Sequence, residues 1–437
     1  MRQKLLSDGA SELSYEIRGI VKKAEQLQQI GKTIYWENIG DPIQKNNQVP
    51  DWMREIVVEL VKDNKSYGYS HSKGLLETRI FLAERNNMLG GVQITAEDIL
   101  FFNGLGDAIA KLYQYIVPTS RVIGPSPAYS THSSAEAAHA HATPLTYKLD
   151  PQNNWYPDIE DLYNKVKYNP NIVGILIINP DNPTGMVYPK HILEQIVEIA
   201  REFKLFIVAD EIYINITYNG AIAHPLSTVI GNDVPGISMK GISKEFPWPG
   251  SRCGWMEYYN RHVDAEFNRF CAALDNAKMI EVSAAKLPQL AIPRILSDSR
   301  FLPYRAELNQ KIGRRSKIIA EILGSVPYLT FNETYGAFYN TIIFKEGTLR
   351  EGQQLRIEDS KAKALFDSWV AAEPDMPHDK RFVYALLASK GVCVVPISSF
   401  CSDLQGFRVT LLEENEELLI HTFTAIRDAV IEYVTSV

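Results

Sequence analysis

The segment GISKEFPWPGSRCGW, residues 241–255, sets Lys244 directly after an apolar stretch and Arg252 eight positions later. Alone, such a lysine is a solvated loop charge. Other segments supply the company that changes its meaning. ADEIY carries Asp210 and Tyr213, NPDNPTG carries Asn182, FFNGLGDAIAKLYQYI carries Gly104, Leu105 and Gly106, and PSPAYSTHS carries Tyr129 and His132. Together these residues meet the needs of pyridoxal phosphate. Lys244 is the amine that can form a Schiff base and then shuttle protons. Asp210 is the carboxylate that keeps a pyridine nitrogen protonated, so that the ring can absorb the electrons of a carbanion. Asn182 and Tyr213 are candidate donors to the phenolic oxygen, and Tyr129 offers a ring to stack on the pyridine. A glycine-bearing loop running into a helix N-terminus presents backbone N–H groups to phosphate. Arg252 and Ser243 add a charge-assisted pair and a hydroxyl to that cradle. His132 is expected to support Asp210 from behind.

Two competing motifs fail on their context. The GLG of residues 104–106 is not a dinucleotide fingerprint, because no ribose-binding acid stands about 20 residues later in RVIGPSP. His139 and His141 form an HxH pair, a spacing that does not share a helix face, and no carboxylate or cysteine completes it. They are expected on a solvated helix surface, and no metal is expected.

The elements that must position these residues are legible as an alternation of β-rich and helical patterns from about residue 97 to 245. Strands are predicted at DILFFN (98–103), RVIG (121–124), IVGILII (172–178) and LFIVAD (205–210), giving an α/β fold with a mostly parallel sheet covered by helices. In such sheets ligands gather beyond the carboxyl ends of the strands, where the candidate residues stand. The expected divisions are residues 1–48 as an N-terminal arm and part of a smaller domain, 49–299 as a large cofactor-binding domain, and 300–437 as a small C-terminal domain. AFYNTIIF and VCVVP read as strands of that second domain. Residues 345–382, charged and turn-rich around KAKALFDSWVA, are expected to form a surface excursion.

Composition bounds the function. The 437 residues are 45% hydrophobic and 22% charged with a formal net charge of -7, which suits a folded core and argues against nucleic acid as a partner. No stretch reaches the roughly 18 apolar residues of a membrane span, and the start lacks a signal-peptide core. The four scattered cysteines read as reduced packing residues. A soluble, cytoplasmic protein is expected.

NPDNPTG, ADEIY and SKEFPWPGSRCGW, in that order and at these separations, resemble the signatures of the class I and II aminotransferases of pyridoxal-phosphate fold type I, and the resemblance extends over nearly the whole chain. YEIRG near the start, NIGDP at 38–42 and GYSHSKG at 68–74 are most similar to the bacterial alanine-aminotransferase branch. The resemblance implies a large sheet of the seven-stranded type and a smaller α/β C-terminal domain. It implies that Gly40 and Arg408, with Asn182 beside them, hold a substrate α-carboxylate. It also implies a homodimer with shared active sites, Tyr69 reaching the phosphate of the other subunit. Arg18 in YEIRG is a candidate for the second carboxylate of glutamate. Two positions depart from the family pattern: Ile397 stands where a glycine commonly follows the proline, and Gly241 replaces a serine of the aspartate branch.

The implied reaction is ping-pong transfer of an amino group from a small neutral amino acid such as alanine to a 2-oxo acid such as 2-oxoglutarate. A lyase or decarboxylase on the same fold is the alternative enzyme. A catalytically silent relative that keeps the cofactor is the non-enzymatic one.

Overall fold

A computed structural model describes residues 5–13 and 17–437, and of residues 17 and 18 the backbone alone. After a short strand β1 (Tyr35–Trp36), the chain builds an eight-stranded sheet from β2 (Ile99–Phe102), β3 (Arg121–Ser126), β4 (Thr146–Asp150), β5 (Tyr156–Pro157), β6 (Ile172–Ile178), β7 (Phe206–Asp210), β8 (Gly236–Gly241) and β9 (Gly254–Tyr259). The spatial order is β2-β9-β8-β7-β6-β3-β4-β5. The eighth strand is the two-residue edge β5, antiparallel to β4. β4, β3, β6, β7 and β8 run parallel, whereas β9 is antiparallel to both its neighbours. That reversal has a consequence for the site. The amino end of β9, where Gly254 pairs with both Gly241 and Phe102, lies beside the carboxyl ends of β8 and β2.

The central strands are apolar on both faces because helices cover both. Along β6, Ile175 and Ile177 enter one core cluster and Leu176 and Ile178 enter another, the two-residue period of a doubly buried strand. One cover is the helix Lys190–Phe203, whose buried Ile192, Leu193, Ile196, Val197, Ile199 and Ala200 recur at helical spacing. It begins after Pro189 and stops at Lys204 in the left-handed conformation, with φ 55. The opposite cover includes Leu105–Gln114 and Ala265–Ile280, which bury Leu112 and Leu274.

A smaller antiparallel sheet follows, made of β10 (Leu329–Thr330), β11 (Tyr339–Phe344), β13 (Val395–Pro396) and β14 (Gly406–Thr410) in the order β10-β11-β14-β13, while β12 (Val392–Cys393) pairs with β1. Its core also takes Ile20, Ala24 and Leu27 from the N-terminal helix Ile17–Gln29, and residues of the C-terminal helix Glu416–Val434. The long helix Phe301–Leu323 leads into it from the large sheet.

Residues 345–382 are not a mere surface excursion. Leu355, Ala362 and Trp369 are buried in that second core, Trp369 Nε1 donates to Gln26 Oε1 at 2.9 Å, and buried Gln353 donates to Val434 O at 3.2 Å. A few apolar side chains do the packing in a stretch whose composition is dominated by exposed charge. Ile397 is likewise fully buried, in the short helix Ile397–Phe400, and faces the core. Among the described residues no helix is long and apolar enough to cross a membrane.

Candidate active site

Each parallel strand delivers its loop to the same edge. Asp210 is the last residue of β7 and is buried. Its Oδ1 accepts from the Ile212 backbone N–H at 3.1 Å, and its Oδ2 lies 3.2 Å from His132 Nε2. His132 is itself buried behind Asp210, in edge contact with Tyr113 and Tyr129, and its Nδ1 has no partner. Beyond β7, the chain places the buried Tyr213 hydroxyl 3.2 Å from that of Tyr339. Burial raises the Tyr213 phenol well above its ordinary range, so it is a neutral hydrogen-bonding group.

The loop after β6 is held by its own side chains. Asn179 Oδ1 accepts from Tyr188 N at 2.9 Å, and Asp181 Oδ2 accepts from Thr184 N at 3.0 Å and from the Thr184 hydroxyl. Burial pushes the Asp181 carboxyl up to about 7. Gly185, at φ +76, lets this loop meet the small sheet: a Cβ there would lie 2.2 Å from the Tyr339 carbonyl oxygen. The loop thus presents Asn182 Oδ1, 3.5 Å from Arg408 Nη1.

β8 ends at Gly241, where a Cβ would lie 3.0 Å from Cys253 O, and the chain turns through Ser243 to Lys244. Lys244 Nζ donates to Gly40 O at 2.7 Å and stands 5.6 Å from the centre of the Phe338 ring. Opposite, Gly104 caps the helix Leu105–Gln114 at φ +85. A Cβ on Gly104 would come within 2.4 Å of Arg252 Nη2, so the glycine is what admits the guanidinium to the helix N-terminus. Exposed backbone N–H groups and a cation meet there, a cradle suited to a phosphate dianion.

Lys244, Asp210, Tyr213, Asn182, Tyr129 and Arg252 line one cavity of about 390 Å³. So do Ser243, Leu105, Gly106, Gly40 and Arg408. Gly104 stands behind Arg252 and His132 behind Asp210. Tyr69 lies elsewhere, 83% exposed. The side chain of Arg18 lies outside the described residues, although Val21 of the same helix reaches the cavity. His139 is half-buried, its Nε2 2.9 Å from Ser120 O, rather than on a fully solvated surface. A larger cavity of about 580 Å³ shares Lys244 and is also lined by Phe338, but it lacks this convergence, and its charges are satisfied locally, Arg300 by Asp298 and Lys311 by Glu307.

Arg408 is only 3% exposed. Its Nη2 donates to Asn38 O at 2.7 Å, its guanidinium lies 4.5 Å from the Tyr339 ring centre and 5.2 Å from that of Phe400, and its Nε has no hydrogen-bond partner among the described residues. No carboxylate among the described residues pairs with it. A buried cation left this way costs several kcal/mol of desolvation, by order of magnitude, which a ligand carboxylate would recover. Sequence reasoning missed Tyr339 and Asn38. Tyr339 carries no signal of its own within AFYNTIIF, where any aromatic reads as packing. Asn38 stands two residues before Gly40 in NIGDP, and there the signal was present.

The donor set therefore fits pyridoxal phosphate on one wall and a carboxylate on the other. The model of the family described as aminotransferase class I and II matches residues 38–421. An uncharacterised aminotransferase of Methanocaldococcus jannaschii is 52% identical over 433 residues, 99% of each chain. Glutamate-pyruvate aminotransferase of Escherichia coli is 31% identical over 323 residues, covering 73% of this chain and 78% of that one. Among solved structures, alanine aminotransferase from Pyrococcus furiosus superposes with a TM-score of 0.84 at 27% identity, over 98% of this chain and all of that one. Strand order, cavity and these likenesses lead to one assignment: the chain belongs to the class I and II aminotransferases, pyridoxal-phosphate enzymes of fold type I.

Proposed function

We propose that the protein moves an amino group from a small neutral amino acid, alanine foremost, to a 2-oxo acid such as 2-oxoglutarate, by a ping-pong mechanism. The observation that carries this reading is Arg408, a buried guanidinium with no carboxylate partner among the described residues, lining the same cavity as the Lys244 amine. Bound pyridoxal phosphate supplies the electron sink that makes a substrate Cα–H acidic. The chain's own residues do the rest. Arg408, with Gly40 and Asn182, holds the α-carboxylate and so fixes which Cα bond faces the ring. Lys244 would hold the cofactor at rest, and its amine, once freed, would take and return the proton of the substrate Cα. Asp210, braced by His132, would take the ring nitrogen, Asn182 and Tyr213 would donate to the phenolic oxygen, Tyr129 would stack on the ring, and Gly104 to Gly106, Ser243 and Arg252 would hold the phosphate.

Tyr69, exposed in the single chain, would reach the phosphate of a second copy, making a homodimer with shared sites. Arg18 is the candidate for the distal carboxylate of glutamate, supported by the neighbouring Val21 at the cavity. None of the four cysteines forms a disulfide, and three of them are buried, which suits the cytoplasm. The names of the relatives support alanine and glutamate as partners.

A donor screen on the holoenzyme tests the reading. Alanine and glutamate should convert the absorption of the lysine-bound cofactor to that of the pyridoxamine form, and 2-oxoglutarate should restore it with glutamate formed. A substrate with a β-leaving group that yields pyruvate without glutamate formation, where alanine does nothing, would make the protein a lyase instead.

A further inference from the structure

Tyr339 touches more of this site than any role assigned to the other residues explains. It opens β11, whose register pairs Thr341 with Arg408 across the sheet. The two-residue period of a strand puts Tyr339 on the same face as Thr341, diagonal to Arg408, and its ring centre lies 4.5 Å from the guanidinium carbon. Its hydroxyl lies 3.2 Å from that of Tyr213 and against the backbone of Gly40, where an added Cβ would come within 2.1 Å of it. Gly40 in turn accepts the Lys244 ammonium hydrogen bond. Tyr339 is 3% exposed and lines the cavity, so none of these contacts is made at the surface.

Of two hydroxyls at hydrogen-bond distance, one donates and the other keeps its hydrogen for a different acceptor. We propose that Tyr339 is a positioning residue with two separable parts: its ring seats Arg408 for the substrate carboxylate, and its hydroxyl donates to Tyr213, leaving the Tyr213 hydrogen for the cofactor's phenolic oxygen. The first part works because among the described residues the guanidinium has no carboxylate partner and is otherwise held by hydrogen bonds to Asn38 O and, at 3.5 Å, to Asn182 Oδ1. The second works because a phenol that accepts a hydrogen bond becomes a stronger donor. This rests on the reading of Tyr213 and Arg408 given above and extends it to a residue that links the two walls.

The parts are separated by two variants of the holoenzyme. Tyr339→Phe keeps the ring and loses the hydroxyl. The absorption titration of the lysine-bound cofactor should then move to higher pH by about half a unit or more, since the phenolate loses part of its support. KM for alanine and 2-oxoglutarate should stay within about twofold. Tyr339→Met loses the ring as well, and should raise both KM values by about tenfold or more while kcat changes less. An unmoved titration in Tyr339→Phe overturns the proposal, whether or not Tyr339→Met folds; unmoved KM values in a Tyr339→Met protein that still binds cofactor also overturn it. Lys244→Ala serves as the control. If it abolishes the absorption while Tyr339→Phe changes nothing, the proposal alone fails; if the absorption survives it, the underlying reading fails.

Discussion

The two walls of the cavity are built in opposite ways. The cofactor wall is a row of short loops, each leaving the carboxyl end of a strand in the large sheet: Gly104 after β2, Tyr129 after β3, Asn182 after β6, Asp210 and Tyr213 at β7, Lys244 after β8. Their positions follow from the sheet, so each can be placed once its strand is placed. The carboxylate wall brings together chain segments far apart in sequence, as in the bond from Arg408 to Asn38, 370 residues away. It is held by buried charge. Lys45 Nζ contacts Glu37 Oε1 at 3.0 Å, Glu413 Oε2 at 3.1 Å and Trp36 O at 2.9 Å, while Thr410 N donates to Glu37 O at 2.9 Å. These groups flank Asn38–Gly40 on one side and Arg408 on the other. One wall thus follows from strand order, and the other depends on a polar clamp.

The comparison can be broken most severely at Lys244. Lys244→Ala should slow steady-state turnover by at least about 10⁴-fold and abolish the absorption of lysine-bound cofactor, since the proposed function makes one group both attachment point and proton carrier. Next, Asp210→Asn should lower kcat by about 10²–10⁴-fold, with KM values changed far less, because its proposed role is on the ring and not on the carboxylate. Stopped-flow and steady-state kinetics on the two variants check these effects.

The clamp predicts a different kind of failure. Lys45→Met leaves Glu37 buried without its cation and should destabilise the fold by about 3–5 kcal/mol in thermal or denaturant unfolding. Burial pushes the Glu37 carboxyl up to about 7, above its ordinary 4.5, despite Lys45. The folded state therefore holds this proton to higher pH than the unfolded state does. Between pH about 4.5 and 7 the contribution of Glu37 to stability falls as pH rises. Glu37→Gln should flatten that part of the stability profile, measured as Tm at pH 5 and pH 8 relative to the parent. The smallest effect expected is at the packing of residues 345–382, far from the cavity. Trp369→Phe should cost about 1–2 kcal/mol of stability through lost volume and the lost bond to Gln26, leaving KM unchanged.

The same contrast explains what was legible in the sequence. The strands IVGILII and LFIVAD stand out because apolar β-formers run uninterrupted between turn residues, and the cofactor wall follows from them. Only resemblance singled out Arg408, since nothing local distinguishes an arginine in GFRVTLL that is buried from one that is solvated. Tyr339 is not legible because its importance comes from its register against Arg408 and its contact with Tyr213, whereas Asn38 sits within NIGDP, where a signal was present. The stretch 345–382 was misjudged because its charges outnumber Leu355, Ala362 and Trp369, which carry its packing. Tyr69 is an exposed aromatic in the single chain, so the role proposed for it in a second copy's site does not follow from the fold of one chain.

The central claim is that the buried Arg408 guanidinium is the seat of the substrate carboxylate, and Arg408→Leu tests it most directly in the half-reaction of holoenzyme with alanine, followed as conversion to the pyridoxamine form. The account predicts that kcat/KM for this half-reaction falls by about 10²–10³-fold, the equivalent of about 3–4 kcal/mol, while the absorption of the lysine-bound cofactor is retained. A variant that converts alanine as efficiently as the parent would contradict it.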